Sequence, residues 1–215
     1  MESLKTELHC HNIFSNGHVG TLEPIHDCNV TIPKQLEQAY LAGLDVLFVT
    51  NHNTIDGYRQ ILEYKKNHQK FDALNVYPAE EVTTDNESHV LVYGIDHSIK
   101  SGLSLHEVLD EAKKQNAVTT APHPFSLLDA LREDSVYCDL FEAFNSSNVD
   151  VYSNLRAKKF AKEKSLHVVA GSDSHVQSTI GRSTNLIYSE NKLDSIIAAM
   201  KHHKIIIENT GYVQP

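Results

Sequence analysis

The chain has 215 residues, 40% of them hydrophobic, enough to bury one substantial core, so a single domain over residues 1–215 is expected. A formal net charge of -9 argues against broad, sequence-independent duplex binding, which needs clustered lysine and arginine to displace counterions. Hydrophobic runs such as Val46 to Val49 and Ile205 to Ile207 are too short to span a bilayer and the N-terminus carries no basic, apolar leader, so no membrane partner and a cytoplasmic location are expected.

In chain order, Thr6-Glu7-Leu8-His9-Cys10-His11 reads as a strand on which His9 and His11, two residues apart, point the same way. Asn12 to Thr31 follows as a long polar stretch without periodicity, the length of a functional loop. Thr31 and Pro33 open a helix whose apolar stripe is Leu36, Ala39 and Tyr40, and Leu44 to Thr50 is a buried strand that delivers Asn51-His52-Asn53. A helix from Ile55 to Gln69 leads to the strand Asn75 to Val82, and His89 to Gly94 is a second strand close enough to pair with it as a hairpin. Ser104 and Glu107 form a capping box before a helix ending near Gln115, and Ala117 to Ala121 is a strand that feeds His123. A short helix at Leu127 to Arg132 precedes the strand Cys138 to Phe144, and a helix from Asp150 to Lys164 is expected to turn Val151, Leu155 and Phe160 inward. The strand His167 to Gly171 ends in Ser172-Asp173-Ser174-His175, and a helix from Leu193 to His202 and a strand at Lys204 to Ile207 close the chain.

Roughly seven strands alternating with helices predict an α/β architecture. Ligand-type residues at many strand ends favour a barrel over an open sheet, because a barrel brings nearly every strand end to one mouth. Imidazole and carboxylate together are the usual ligands of zinc, iron and manganese. Cys10, Cys28 and Cys138 lack Cys-x-x-Cys spacing and read as small buried residues. Of the fourteen histidines, His68, His106, His167, His202 and His203 fit helix faces or connections and are set aside as ligands.

Taken together, His9-Cys10-His11, Thr50-Asn51-His52-Asn53-Thr54, Glu80-Glu81-Val82, His89, Pro122-His123-Pro124 and Gly171-Ser172-Asp173-Ser174-His175 resemble the ordered motifs of the PHP (polymerase and histidinol phosphatase) family, over nearly the whole chain. The resemblance implies a distorted (β/α)7 barrel of the PHP type with two to three divalent metal ions, Zn, Mn or Fe, at its mouth. It implies that His9, His11, Glu81 and Asp173 hold a first metal, that Glu81 bridges to a second held by His89 and His123, and that His52 and His175 belong to a third. Glu81 is preferred to Glu80 because the family's ligand precedes a branched apolar residue, here Val82. The chain departs from the family in having Asn16, Asn51 and Asn53 where aspartates are common, which is expected to weaken the third site. His18, in the same loop, is the candidate to replace Asn16 as a ligand.

Such a centre would supply hydroxide near neutral pH, with His52 or His175 as the acid for the leaving group if the third metal is absent. Arg182 and Arg156 are candidate phosphate clamps, and Glu142 and Asn145 candidates to line the mouth or orient ligands. The expected activity is that of a phosphoesterase acting on a phosphomonoester or small phosphodiester, including a nucleotide or a short nucleic-acid end. Hydrolysis of a C–N bond by the same nucleophile, and a non-catalytic metal-binding barrel, are the alternatives.

Overall fold

The computed structural model describes residues 3–18 and 26–212, so residues 19–25 of the long polar loop lie outside the described residues. Its strands are β1 (Ser3–Glu7), β2 (Val46–Val49), β3 (Asn75–Thr83), β4 (His89–Tyr93), β5 (Val118–Ala121), β6 (Leu140–Asn145), β7 (Val168–Gly171), β8 (Thr184–Tyr188) and β9 (Ile205–Asn209). The helices are α1 (Ile32–Leu41), α2 (Asp56–Lys65), α3 (Leu105–Lys114), α4 (Val151–Lys164) and α5 (Leu193–Lys201). All nine strands belong to one sheet in the order β7-β6-β5-β4-β3-β2-β1-β8-β9.

This sheet curls into the expected α/β barrel. Beyond the end of β1, Cys10 bridges in parallel to Ser174 beyond the end of β7, with Asp173 N donating to His9 O at 2.8 Å and His11 N to Ser174 O at 3.0 Å. At that rim β1 to β7 come full circle. Away from the rim β8 pairs antiparallel with β1, and β9 packs against β7. The Asn185 amide seals the seam between β8 and β7, accepting from Ala170 N at 2.9 Å and donating to Ala170 O at 2.7 Å. Glu7 does the same nearby: its buried carboxylate accepts from His9 N, Ser172 N, Ser172 Oγ and Gly181 N, main-chain and hydroxyl donors left over where the ladder is interrupted.

Among the described residues the sheet has nine strands where roughly seven were expected. β8, whose Thr-Asn-Leu-Ile-Tyr is rich in strand formers, is absent from the sequence reading, and β4 runs antiparallel to both neighbours. That reversal matters to the site, since it puts His89, at the amino end of β4, at the same rim as the carboxyl ends of the parallel strands. Strand residues Leu4, Val46, Phe48, Tyr93, Leu140 and Ile187 form one buried cluster with Ile196, Ile197 and Met200 of α5, which thus packs on the barrel interior. Each large side chain buried this way contributes roughly 1.5–3 kcal/mol, which holds the strand ends in fixed register.

Two local expectations are corrected. Residues 127–131 form no helix; a 3-10 helix occupies Arg132–Tyr137 instead. In α4 the buried positions are Ser153, Asn154, Ala157 and Ala161, while Val151 and Leu155 are exposed and Phe160 is half-buried. Small residues let the helix lie close on β6, and the Asn154 side chain replaces missing ladder bonds by pairing with both the N–H and C=O of Asn145 at 2.9 Å.

Glu80 and Glu81 fall on opposite sides of β3, as alternation requires. Glu80 is buried with Oε1 accepting from Ile99 N at 2.5 Å and Oε2 lacking a hydrogen-bond partner. Burial pushes its pKa from 4.5 up to about 7. A carboxyl raised on folding favours the native state fully only below its unfolded pKa, and that contribution is lost as pH rises through 7. Glu80→Gln is therefore expected to raise the unfolding free energy by about 3 kcal/mol at pH 8 and to leave it nearly unchanged at pH 4. Urea denaturation at the two pH values checks this, and an equal gain at both would contradict the assignment.

Candidate metal centre

Six segments deliver chemistry to one rim. His9 and His11 follow β1, His52 follows β2, Glu81 lies within β3, His89 begins β4, His123 follows β5, and Asp173 and His175 follow β7. The backbone at His123 (φ 29°) and Asp173 (φ 50°) is left-handed, a strained conformation for these residues that is kept where the surroundings over-determine it.

Glu81 is the hub. Its Oε2 lies 3.2 Å from Nε2 of both His9 and His11 and 3.7 Å from His52 Nδ1, while Oε1 lies 3.0 Å from His89 Nδ1 and from His123 Nε2. Asp173 Oδ1 is 3.4 Å from Nε2 of His9 and of His11. On the outer side Asp27 Oδ1 is 3.0 Å from His175 Nε2 and 3.9 Å from His52 Nε2. Among the described residues four groups of ligand atoms result: His9, His11 and Asp173; His9, Glu81 and His123; His52, Glu81 and His89; and His11, Asp27, His52 and His175.

The donors fit divalent metals. Ligand atoms about 2.0–2.2 Å from one ion stand roughly 3.0–3.5 Å apart, the spacing of most of these contacts. The buried atoms His11 Nε2, His52 Nδ1, His89 Nδ1 and Asp27 Oδ2 have no hydrogen-bond partner, and such groups are costly unless something satisfies them. Burial would raise the carboxyl pKa values of Glu81 and Asp173, but His9 and its neighbouring imidazoles outweigh it and hold both well below the usual range. The acids are thus ionised and ready to bind a dication, which displaces imidazole protons as it binds.

A further layer fixes the ligands. Glu142 Oε1 is 3.0 Å from His9 Nδ1, so that nitrogen keeps its proton and Nε2 is the one that would give up its own to a bound cation. Glu142 Oε2 accepts from His123 N at 2.6 Å and from Asn145 Nδ2 at 2.8 Å, and the same amide reaches Asp173 Oδ2 at 3.1 Å. Residue 171 must be glycine for this, since a Cβ there would sit 1.9 Å from Glu142 Oε1 and 2.7 Å from His9 Cβ.

The uncharacterized protein MJ1587 of Methanocaldococcus jannaschii is 30% identical over 166 residues, covering 74% of this chain and 93% of its own. A family profile described as PHP-associated matches residues 151–205. The chain belongs to the PHP family. Among solved structures, PsfC from Pseudomonas syringae PB-5123 superposes with a TM-score of 0.72 at 18% identity, covering 98% of this chain and 93% of that one. The lesion-specific endonuclease PfuEndoQ from Pyrococcus furiosus superposes with a TM-score of 0.69 at 17% identity, covering 94% of this chain and 56% of that one, so the PHP chain spans little more than half of it. These likenesses are of fold. The family and the histidine and acid clusters together support a metal-dependent hydrolase.

The structure brings together every PHP-type ligand expected from the sequence except His18. That residue is exposed and outside the four groups, its carbonyl accepting from Asn53 Nδ2 at 2.6 Å. The carboxylate facing His52 and His175 is instead Asp27, which sequence reasoning missed. Asn16 places it, its Oδ1 accepting from Asp27 N at 2.6 Å and Cys28 N at 2.9 Å and its Nδ2 donating to Cys28 O at 3.0 Å. Asn51 pairs with Asn12 and Asn53 with Thr83, so none of the three amides faces the ligand atoms and a weakened third site does not follow from them. The available signal was that Glu23 and Asp27 are the acids of the long loop. Arg182 is exposed, with Nε donating to Ser178 O at 3.3 Å, because the turn at Gly181 that serves Glu7 carries the chain into β8 before it can reach the rim. Arg156 lies over the Phe125 ring at 4.9 Å, and neither arginine lines the mouth.

Proposed function

We propose that the chain is a metal-dependent phosphoesterase that hydrolyses a phosphomonoester or small phosphodiester. The observation that carries this is the Glu81 carboxylate, whose two oxygens each face two imidazoles within 3.2 Å, the arrangement of a bridge between two cations. His9, His11, Glu81 and Asp173 would hold one ion, Glu81, His89 and His123 a second, and His52, His175 and Asp27 a third, with Zn, Mn or Fe all suited to this donor set. Bound there, divalent ions would supply a hydroxide nucleophile at neutral pH and neutralise the phosphoryl oxygens.

The chain's own residues add orientation and a proton. Glu142 and Asn145 hold His9, His123 and Asp173 in place so that no reorganisation is needed as charge develops. Of the two candidate acids, His175 is favoured. Burial opposes its charge, but the Asp27 hydrogen bond and the Asp173 carboxylate outweigh it and push its pKa up to about 9, so it is protonated at pH 7 and lines the cavity. His52 is the opposite case: burial pushes its pKa down to about 3 with Glu81 opposing, which keeps it a neutral ligand. Where the third position holds no ion, His175 would give its proton to the leaving oxygen as the bond from phosphorus to the attacking oxygen forms and the bond to the leaving oxygen breaks; where an ion is held there, His175 would serve as its ligand instead.

The test is elemental analysis of protein purified without chelator, alongside hydrolysis of a generic phosphomonoester and phosphodiester. About three ions per chain with turnover is the expected result for these four ligand groups. Fewer than about one, with no turnover on adding Mn or Zn, would sink the reading.

A further inference from the structure

Above the ligand atoms the cavity changes character. It has a volume of about 520 Å³, and the apolar part of its wall is Leu127, Leu128 and Val149, set among Ser126, Asp129, Ser147 and Asn148. These side chains are 69%, 74% and 89% exposed, an apolar surface kept in water beside polar chemistry, as binding surfaces are. The wall is tied to the centre rather than loose: Ser126 N donates to His123 O at 2.9 Å, and His89 N donates to Asp129 O at 3.1 Å. Two expected ligands thus anchor the loop that carries both leucines.

What the wall lacks is equally informative. Among the described residues no lysine or arginine lines the cavity, while Asp27, Glu81, Asp129 and Asp173 do. Residues 19–25, Val-Gly-Thr-Leu-Glu-Pro-Ile, contain no basic residue either. The candidate centre can neutralise one phosphoryl group on the cavity floor. A second phosphate farther out would meet Asp129 and the leucines, with no guanidinium or ammonium among the described residues to receive it. An apolar group in that position gains about 0.8 kcal/mol per methylene buried.

We infer that the substrate carries a single phosphoryl group on an apolar organic moiety, the phosphoryl at the floor and the moiety against Leu127, Leu128 and Val149. Polyphosphates and nucleic-acid strands are selected against. This rests on the phosphoesterase reading. Water adds its oxygen to phosphorus, the bond from phosphorus to the alcohol oxygen breaks, and that oxygen takes a proton, so the products are inorganic phosphate and an apolar alcohol.

The experiment uses metal-loaded protein and two homologous series of constant headgroup and leaving-group chemistry. Ethyl-, butyl- and hexylphosphonate are titrated calorimetrically, and the corresponding alkyl phosphates are assayed for release of inorganic phosphate. Affinity and kcat/KM are expected to rise about two- to fourfold per methylene, up to the transfer value. The double variant Leu127→Ser with Leu128→Ser, at positions exposed enough to leave folding intact, is expected to flatten the hexyl-to-ethyl ratio. Hydrolysis with no dependence on chain length, or a preference for a nucleoside triphosphate or an oligonucleotide, overturns the inference and leaves the phosphoesterase reading standing. Phosphonate affinity that rises with length without hydrolysis of any ester supports the apolar wall and sinks the phosphoesterase reading.

Discussion

Glu81→Gln is expected to lower phosphate-ester hydrolysis by roughly three orders of magnitude or more and to remove most of the bound metal. The amide has nearly the same shape, so packing around β3 is retained. It can offer only one neutral oxygen where the carboxylate presents two charged ones to His9, His11, His89 and His123. A bridging anion that assembles two Lewis acids is worth several kcal/mol of transition-state stabilisation, and about 4 kcal/mol is a thousandfold in rate. Elemental analysis and kcat on the same preparation, with far-ultraviolet circular dichroism as the control for folding, decide the matter. A variant that keeps its metal and more than a tenth of the activity would show that Glu81 is not the bridge.

Asp27→Asn is expected to remove about one metal equivalent and to lower kcat roughly a hundredfold, the lower end of what losing one electrostatic stabiliser of transition-state charge costs. Asp27 joins three of the imidazoles, with its closest contact 3.0 Å to His175 Nε2. Burial would raise its own pKa, but the His175 hydrogen bond and the charge on His175 hold it well below the usual aspartate range. The two partners shift in opposite senses, so in metal-free protein the pair is charged and intact at neutral pH. Its contribution is lost as pH rises through about 9, where His175 gives up its proton. Below neutrality it persists until Asp27 protonates. In metal-free Asp27→Asn the His175 titration, followed by nuclear magnetic resonance, is expected to fall by about a unit or more toward the ordinary histidine value. His18→Ala, at an exposed residue of the same loop, is the contrasting variant and is expected to leave metal content unchanged. If His18→Ala loses the ion and Asp27→Asn keeps it, the assignment of Asp27 is wrong.

The strands that were legible in the sequence are those with continuous apolar runs. Val46 to Val49 is buried at every position, as a parallel strand covered on both faces must be. The capping box at Ser104 and Glu107 forms as its spacing requires, with both reciprocal hydrogen bonds present. β8 was not legible, because a five-residue strand after a polar turn resembles a loop until its partner β1 is in place. The faces of α4 were misread for a related reason: periodicity assumes that the largest apolar residues go inward, yet the close approach to β6 admits only Ser153, Ala157 and Ala161 beside an asparagine that completes the ladder. Val151 and Leu155 are left outside.

At the candidate centre, the sequence alone determined which residue types could bind a cation and on which elements they stand. Alternation decided that His9 and His11 point one way and that Glu80 and Glu81 point opposite ways, because successive side chains of a strand leave by opposite faces. Tertiary structure decided everything that depends on segments distant in the chain. It chose Asp27 over His18, since the Asn16 amide folds the loop back by binding the backbone of residues 27 and 28. It turned Glu142 into the support of His9 across 133 positions of sequence, and it left Arg182 outside the mouth. A local pattern fixes the direction of a side chain, but convergence on one point is set by strand order and by how a loop closes.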